Sequence, residues 1–219
     1  MKKKAMALVL ALGLVTVGIV SGTVAWLTAS VNPVVNVFTD SDINITLAEN
    51  TSNYKMIPGH TIAKDPKVTV AAESEDCWLF VKITESTTPD LDAYIAYAIA
   101  DQYDATTNPN GWRIVQPEND KGEIVIGRKV LKGAGAEGFN ILGAGECGVS
   151  DTERYAWGAN EVLTKPEVTK SMMDAIDDET EAKPTLTFQA AAVQLYETQG
   201  EEFDVATAYA KVAWSTGNS

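Results

Sequence analysis

His60, Cys77 and Cys147 are the only histidine and cysteines in the 219-residue chain, so any chemistry that needs an imidazole or a thiol must be built from very few parts. A zinc hydrolase takes three protein ligands, commonly two histidines one helical turn apart with a glutamate between them. One histidine cannot make an HExxH motif. His60 lies in PGHTIAKD, a turn context between two strand patterns, where an imidazole is far more often a surface or packing residue than a ligand. Ser-His-Asp chemistry would need the same His60, and no GxSxG nucleophile elbow occurs. The glycines of GAGAEGFNILGAGECG form no phosphate loop, because no GxxxxGKS or GxxxxGKT is present. Carboxylates pair at Asp101 and Asp104, Asp177 and Asp178, Glu201 and Glu202, but among 30 acidic residues such pairs arise without purpose. The spacing of Asp101 and Asp104 is not that of an EF-hand loop. No catalytic residue, metal or cofactor is therefore expected. The two cysteines could pair outside the cell, and a free buried Cys77 within its strand pattern is equally open.

The elements that would position such groups begin with the front of the chain. Lys2, Lys3 and Lys4 precede an uncharged apolar stretch over residues 5–20, the order of an export signal. Continued to Leu27, the stretch is long enough for a membrane anchor at roughly 20 residues. Its composition favours cleavage instead, since Ser21, Gly22, Thr23 and Ala25 are small and no basic residue occurs between Lys4 and Lys55. Thr23 and Ala25 stand two apart, where a signal peptidase requires small side chains, which places the cut between Ala25 and Trp26. Residues 1–25 are read as a signal peptide, with the membrane involved only before cleavage, and the product as secreted, extracellular or at the cell surface. Cleavage removes three lysines and no acid, leaving 14 basic against 30 acidic residues and a formal charge of −16. Such a surface lacks the basic stripe that nucleic acid requires and favours solubility.

The rest of the chain is patterned mostly with period two. Ile43, Ile45 and Leu47 alternate with Asn44 and Thr46, and Val68 and Val70 bracket Thr69. In the stretch from Cys77 to Ile83, Cys77, Leu79, Val81 and Ile83 form one face while Trp78 and Phe80 occupy the other, as in a central strand covered on both sides. Further strands are expected over residues 93–100, 112–116, 123–130, 161–164 and 184–196. The last changes parity between Ala190 and Val193, and a bulge near Ala191 would reconcile its two halves. The glycine-rich residues 133–148 read as a long surface loop. Short helices are expected over residues 169–176, capped by Thr169, and over 204–214, capped by Asp204. Many short strands with few helices imply a mainly β fold, a jelly-roll-like antiparallel β-sandwich with short helices in connections and at the C-terminus. Residues 42–219 would be one such domain, preceded by a separate segment over residues 26–41.

The order MKKK, apolar run, GTVAWLTASVNPVVNVFTDSDINITLAEN, then YKMIPGHTIAKDPKVTV and DCWLFVKI, resembles the TasA and camelysin (CalY) family of secreted proteins. The likeness is concentrated in the first 85 residues. Later, TKSMMDAI before KPTLTFQAAAVQ and a closing helix ending at Trp214 are also similar in order. The resemblance implies export signals cut by a dedicated signal peptidase of the SipW type. It also implies a jelly-roll subunit of extracellular biofilm-matrix fibres, in which the N-terminal strand of one copy fills a groove in the next. The partners would be further copies of the chain and other matrix proteins.

Carried onto this sequence, the donor strand is residues 26–37. Val31, Val35 and Val37 share a parity with Pro33 between them, and Trp26 is a large apolar group at the new terminus. Pro33 lacks an amide donor, which suits an edge position. Camelysin-like members have been described as metallo-endopeptidases, the alternative function, but no residue transfers because the motif is missing. A monomeric adhesin or carbohydrate-binding sandwich is supported by fold analogy alone.

Overall fold

The structure is a computed structural model and describes residues 42–49, 55–133, 135–148, 150, 153–177, 182–197 and 200–214, which belong to one compact unit, Ser41–Ser219. The expected signal segment, the boundary residues Thr23, Ala25 and Trp26, and the donor residues Val31, Pro33, Val35 and Val37 lie outside the described residues.

The fold is mainly β, with short antiparallel strands and few helices. In chain order come β1 (Ile45–Ala48), β2 (Thr61–Ala63), β3 (Lys67–Val70) and β4 (Cys77–Glu85). A single 3-10 turn, Leu91–Ala93, leads into β5 (Ile95–Ala96) and β6 (Ala98–Ile99), followed by β7 (Arg113–Gln116) and β8 (Glu123–Val130). Next are β9 (Glu137–Asn140), β10 (Leu142–Gly143), β11 (Gly145–Gly148), β12 (Arg154–Trp157) and β13 (Glu161–Thr164). Helix α1 (Lys170–Asp177), strand β14 (Leu186–Gln194) and helix α2 (Val205–Tyr209) close the chain.

The largest sheet has the order β14-β4-β8-β7, and β4 is its longest continuous ladder on both sides. Its two faces have different covers. Cys77, Leu79, Val81 and Ile83 point into the main core with Val68, Val70, Phe139, Ile141 and Leu142, which come from the facing sheet β1-β3-β9 and the strands beside it. Trp78 and Phe80 point the other way, into a second core closed by Leu195, Phe203 and Ala208 near the C-terminus. Period-two alternation thus marked a strand buried on both faces, and all of Cys77, Trp78, Leu79, Phe80 and Val81 are buried. Phe80 lies opposite Gly127, where a Cβ would come within 2.9 Å of the ring, so the glycine makes room for it.

Both helices begin as expected. The Thr169 hydroxyl accepts from the Met172 amide at 3.3 Å, and Asp204 accepts from the Ala206 and Thr207 amides at 2.9 Å each. Those bonds hold the Asp204 carboxyl below its usual range, the Thr207 amide contributing most. α2 is shorter than expected, ending with Ala210 as its cap.

Two expectations are corrected. Residues 133–148 are not one long surface loop: they carry β9, β10 and β11, with Phe139, Ile141 and Leu142 buried. Their glycines serve close approach between strands, since a Cβ on Gly143 would lie 2.8 Å from the Ala100 Cα and one on Gly145 would lie 2.4 Å from the Trp157 ring. Nor does β14 bulge near Ala191, because its pairing with β4 runs without a shift from Leu186 opposite Glu85 to Gln194 opposite Cys77. The change of parity reflects two cores: Leu186, Phe188, Ala190 and Ala192 pack on one and Val193 on the other. The register shift of this sheet is between Ile114 and Gln116, in β7.

Candidate functional site

β14 lies beside the candidate groove. Among the described residues it is paired along one side, by β4, over nine residues reading LTFQAAAVQ. An edge strand of that length is ordinarily protected by charge, proline or a bulge. This one has none of the three, and its residues from Phe188 to Val193 are half-buried.

Beside the first two residues of β14, Leu186 and Thr187, opens a groove of about 490 Å³. Its apolar walls come from separated parts of the chain: Met56, Ile62 on β2, Leu91 and Ile95, Val162 on β13, Ile176 on α1, and Leu186. Ile62 turns inward because Thr61 and Ala63 on either side of it are exposed, whereas Val162 is inside a strand buried at Leu163 and Thr164 as well. The volume falls in the range of ordinary binding clefts.

Three charged side chains stand in the groove wall: Glu49, Lys64 and Lys183. Lys64 is buried, its Nζ is 2.7 Å from Glu49 Oε1 and it sits 5.3 Å from the centroid of the Phe188 ring on β14. Lys183 Nζ donates to the Ile176 carbonyl at 2.9 Å and so satisfies an end of α1. At the same end of β14, Glu85 lies opposite Leu186, and the Tyr97 hydroxyl donates to Glu85 Oε1. Burial pushes the Glu85 carboxyl above its usual range; the Tyr97 hydrogen bond opposes this, and Glu118, Asp92 and Asp90 add to it. Tyr97 is raised as well, by burial first and then by Glu85.

The residues that could have carried enzymic chemistry are dispersed. His60 is exposed at a turn, its amide donating to the Ile57 carbonyl at 3.0 Å and its carbonyl accepting from the Thr164 amide at 3.0 Å. No group of three or more His, Cys, Asp or Glu side chains fit for a metal occurs among the described residues. Asp101 pairs with Arg128 at 3.0 Å and accepts from Asn108, while Asp104 accepts from the Thr106 and Thr107 amides, so both carboxylates shape a turn. Glu202 pairs with Lys129 at 2.6 Å. Cys77 and Cys147 are both free; Cys77 is buried, and burial with the nearby Asp76 charge pushes its thiol up to about 12. Among the described residues no helix is long and apolar enough to cross a membrane.

Comparison with family models, with curated proteins and with solved structures gave no match. β14 follows the strand expected over residues 184–196, but the groove beside it was not among the features singled out from sequence. Ile62 shows a local alternation, but nothing in the order of residues joins these separated parts of the chain into one wall.

Proposed function

We propose that the chain is a secreted structural subunit that assembles with further copies of itself into extracellular matrix fibres. In this reading a peptidase of the SipW type cuts after Ala25, and residues 26–37 of one copy add as a strand to the β14 edge of the next, over the groove. A jelly-roll winding of the sheets belongs to the same reading. One observation supports it: among the described residues β14 is a nine-residue edge strand without charge or proline, and its first two residues line a mostly apolar groove of about 490 Å³. A sheet edge offers backbone donors and acceptors to an incoming strand, and pockets for its alternate side chains supply selectivity. Burying several Val-sized groups at ~25 cal/mol per Å² contributes several kcal/mol before the cost of ordering the segment.

Electron microscopy of the purified mature protein tests this. The chain beginning at Trp26 is expected to form filaments, and deletion of residues 26–37 is expected to leave a folded domain that forms none. Filaments that persist after the deletion would overturn strand donation.

A further inference from the structure

The three-stranded sheet β2-β13-β5 supplies the floor of the groove. Ile62 on β2 lies opposite Val162 on β13, and Ile95 on β5 lies opposite Thr164, two residues on from Val162, so Ile62, Val162 and Ile95 share one face across all three strands. At ~4.8 Å between neighbouring strands that face is about 10 Å wide. Leu91, Ile176 and Leu186 add to its apolar lining.

Among the described residues no aromatic side chain takes part in the lining, so a planar ring finds no face to stack on. Polar character is concentrated along one rim, where Lys183, Thr185 and Thr187 are exposed. Lys64 is buried and pairs with Glu49 at 2.7 Å, so these two charges offset each other. Lys183 has a different partner: it donates to the Ile176 carbonyl at 2.9 Å, which uses one of three ammonium N–H groups, and no carboxylate among the described residues pairs with it. In a chain of formal charge −13, the groove therefore has a positive balance, two lysines against one glutamate.

We propose that this groove binds a free fatty acid of medium length, its straight chain lying across Ile62, Val162 and Ile95 and its carboxylate at the rim beside Lys183. A single aliphatic chain suits both the volume of about 490 Å³ and a lining without rings. The head group needs a cation and access to water, which the rim supplies; a neutral head leaves Lys183 unused and a cationic one is repelled by it. Each CH2 taken from water into the groove tightens binding by up to about fourfold until the floor is covered. The site needs no second copy of the chain.

Calorimetry and methyl NMR of the mature full-length chain, kept too dilute to assemble, test the site with decanoate below its micelle concentration. Decanoate is expected to shift the methyl signals of Ile62, Ile95, Val162 and Leu186 and to leave those of Val125 and Leu195, in the second core, unmoved. Hexanoate, which lacks four of the CH2 groups, is expected to bind at least about tenfold more weakly. Decanol is expected to bind about threefold to fivefold more weakly than decanoate, and Lys183→Met to abolish that difference while changing the affinity for decanol less than about twofold. Ile62→Trp fills the floor and is expected to weaken decanoate at least about tenfold, with circular dichroism as the check on folding; Lys183→Met carries the test if that variant does not fold. Absence of the methyl shifts, or equal affinity of the unmodified protein for decanoate and decanol, overturns the assignment. Shifts of the same methyls that follow protein concentration and not decanoate give the groove to a second copy and overturn it too. Filament formation is read separately by microscopy and stands or falls without these results.

Discussion

Lys64 Nζ is 2.7 Å from Glu49 Oε1, and both side chains form part of the groove wall beside β14. A buried ammonium is costly when its counter-charge is removed, and the partial exposure of the Glu49 side chain moderates that cost. Glu49→Gln is therefore expected to destabilise the domain by about 1–2 kcal/mol in urea titration, and Lys64→Met by less, because methionine keeps the apolar contact with Phe188.

Glu85 and Tyr97 make stability depend on pH in a definite direction. The folded-state pKa of Glu85 lies above the ordinary carboxylate value, so the folded protein holds this proton more tightly than the unfolded chain. Its contribution is fully present below the unfolded pKa and is lost as pH rises through the folded one. Glu85→Gln is expected to flatten the decline that sets in above about pH 4.5 in thermal melts. Tyr97→Phe removes the hydroxyl donor and is expected to cost about 1–3 kcal/mol at pH 7, where the carboxylate needs it.

Trp78 ties the C-terminal region to the large sheet. Its Nε1 donates to the Phe203 carbonyl at 2.8 Å, within the core that also holds Leu195 and Ala208. Trp78→Phe is expected to lose about 2–3 kcal/mol, from the missing hydrogen bond and the volume left behind. Limited proteolysis should then cut residues 200–214 faster than in the unmodified protein, whereas β4 and β8 stay protected.

The two thiols should differ in reactivity. Cys147 is half-buried, and burial with the Glu167 charge raises its pKa, so alkylation is expected to be slow at neutral pH and faster as pH rises. Cys77 is expected to react only after unfolding. Mass spectrometry of native protein treated with iodoacetamide should find modification at Cys147 alone.

Elements dominated by a single local rule were legible in the sequence. β8 and β13 follow the expected ranges of 123–130 and 161–164, and the caps at Thr169 and Asp204 stand where side-chain chemistry placed them. β9, β10 and β11 were not legible, because glycine, a breaker of strands by propensity, is required there to let backbones and the Trp157 ring approach. β14 was found but misread: a parity change has the same appearance whether the strand bulges or has a core on each side. The groove was illegible for a different reason. Its wall is assembled from Met56, Ile62, Leu91, Ile95, Val162, Ile176 and Leu186, whose proximity is made only by tertiary pairing.

Strand donation between copies is tested most directly by mixing two forms of the mature chain, the full one and one lacking residues 26–37. The shortened chain retains the β14 edge and groove but has no strand to give, so it should stay in the supernatant alone, join the pellet when mixed with the full chain, and shorten the filaments in proportion to its share. A shortened chain that sediments by itself, or that never enters the pellet of the mixture, would contradict the account.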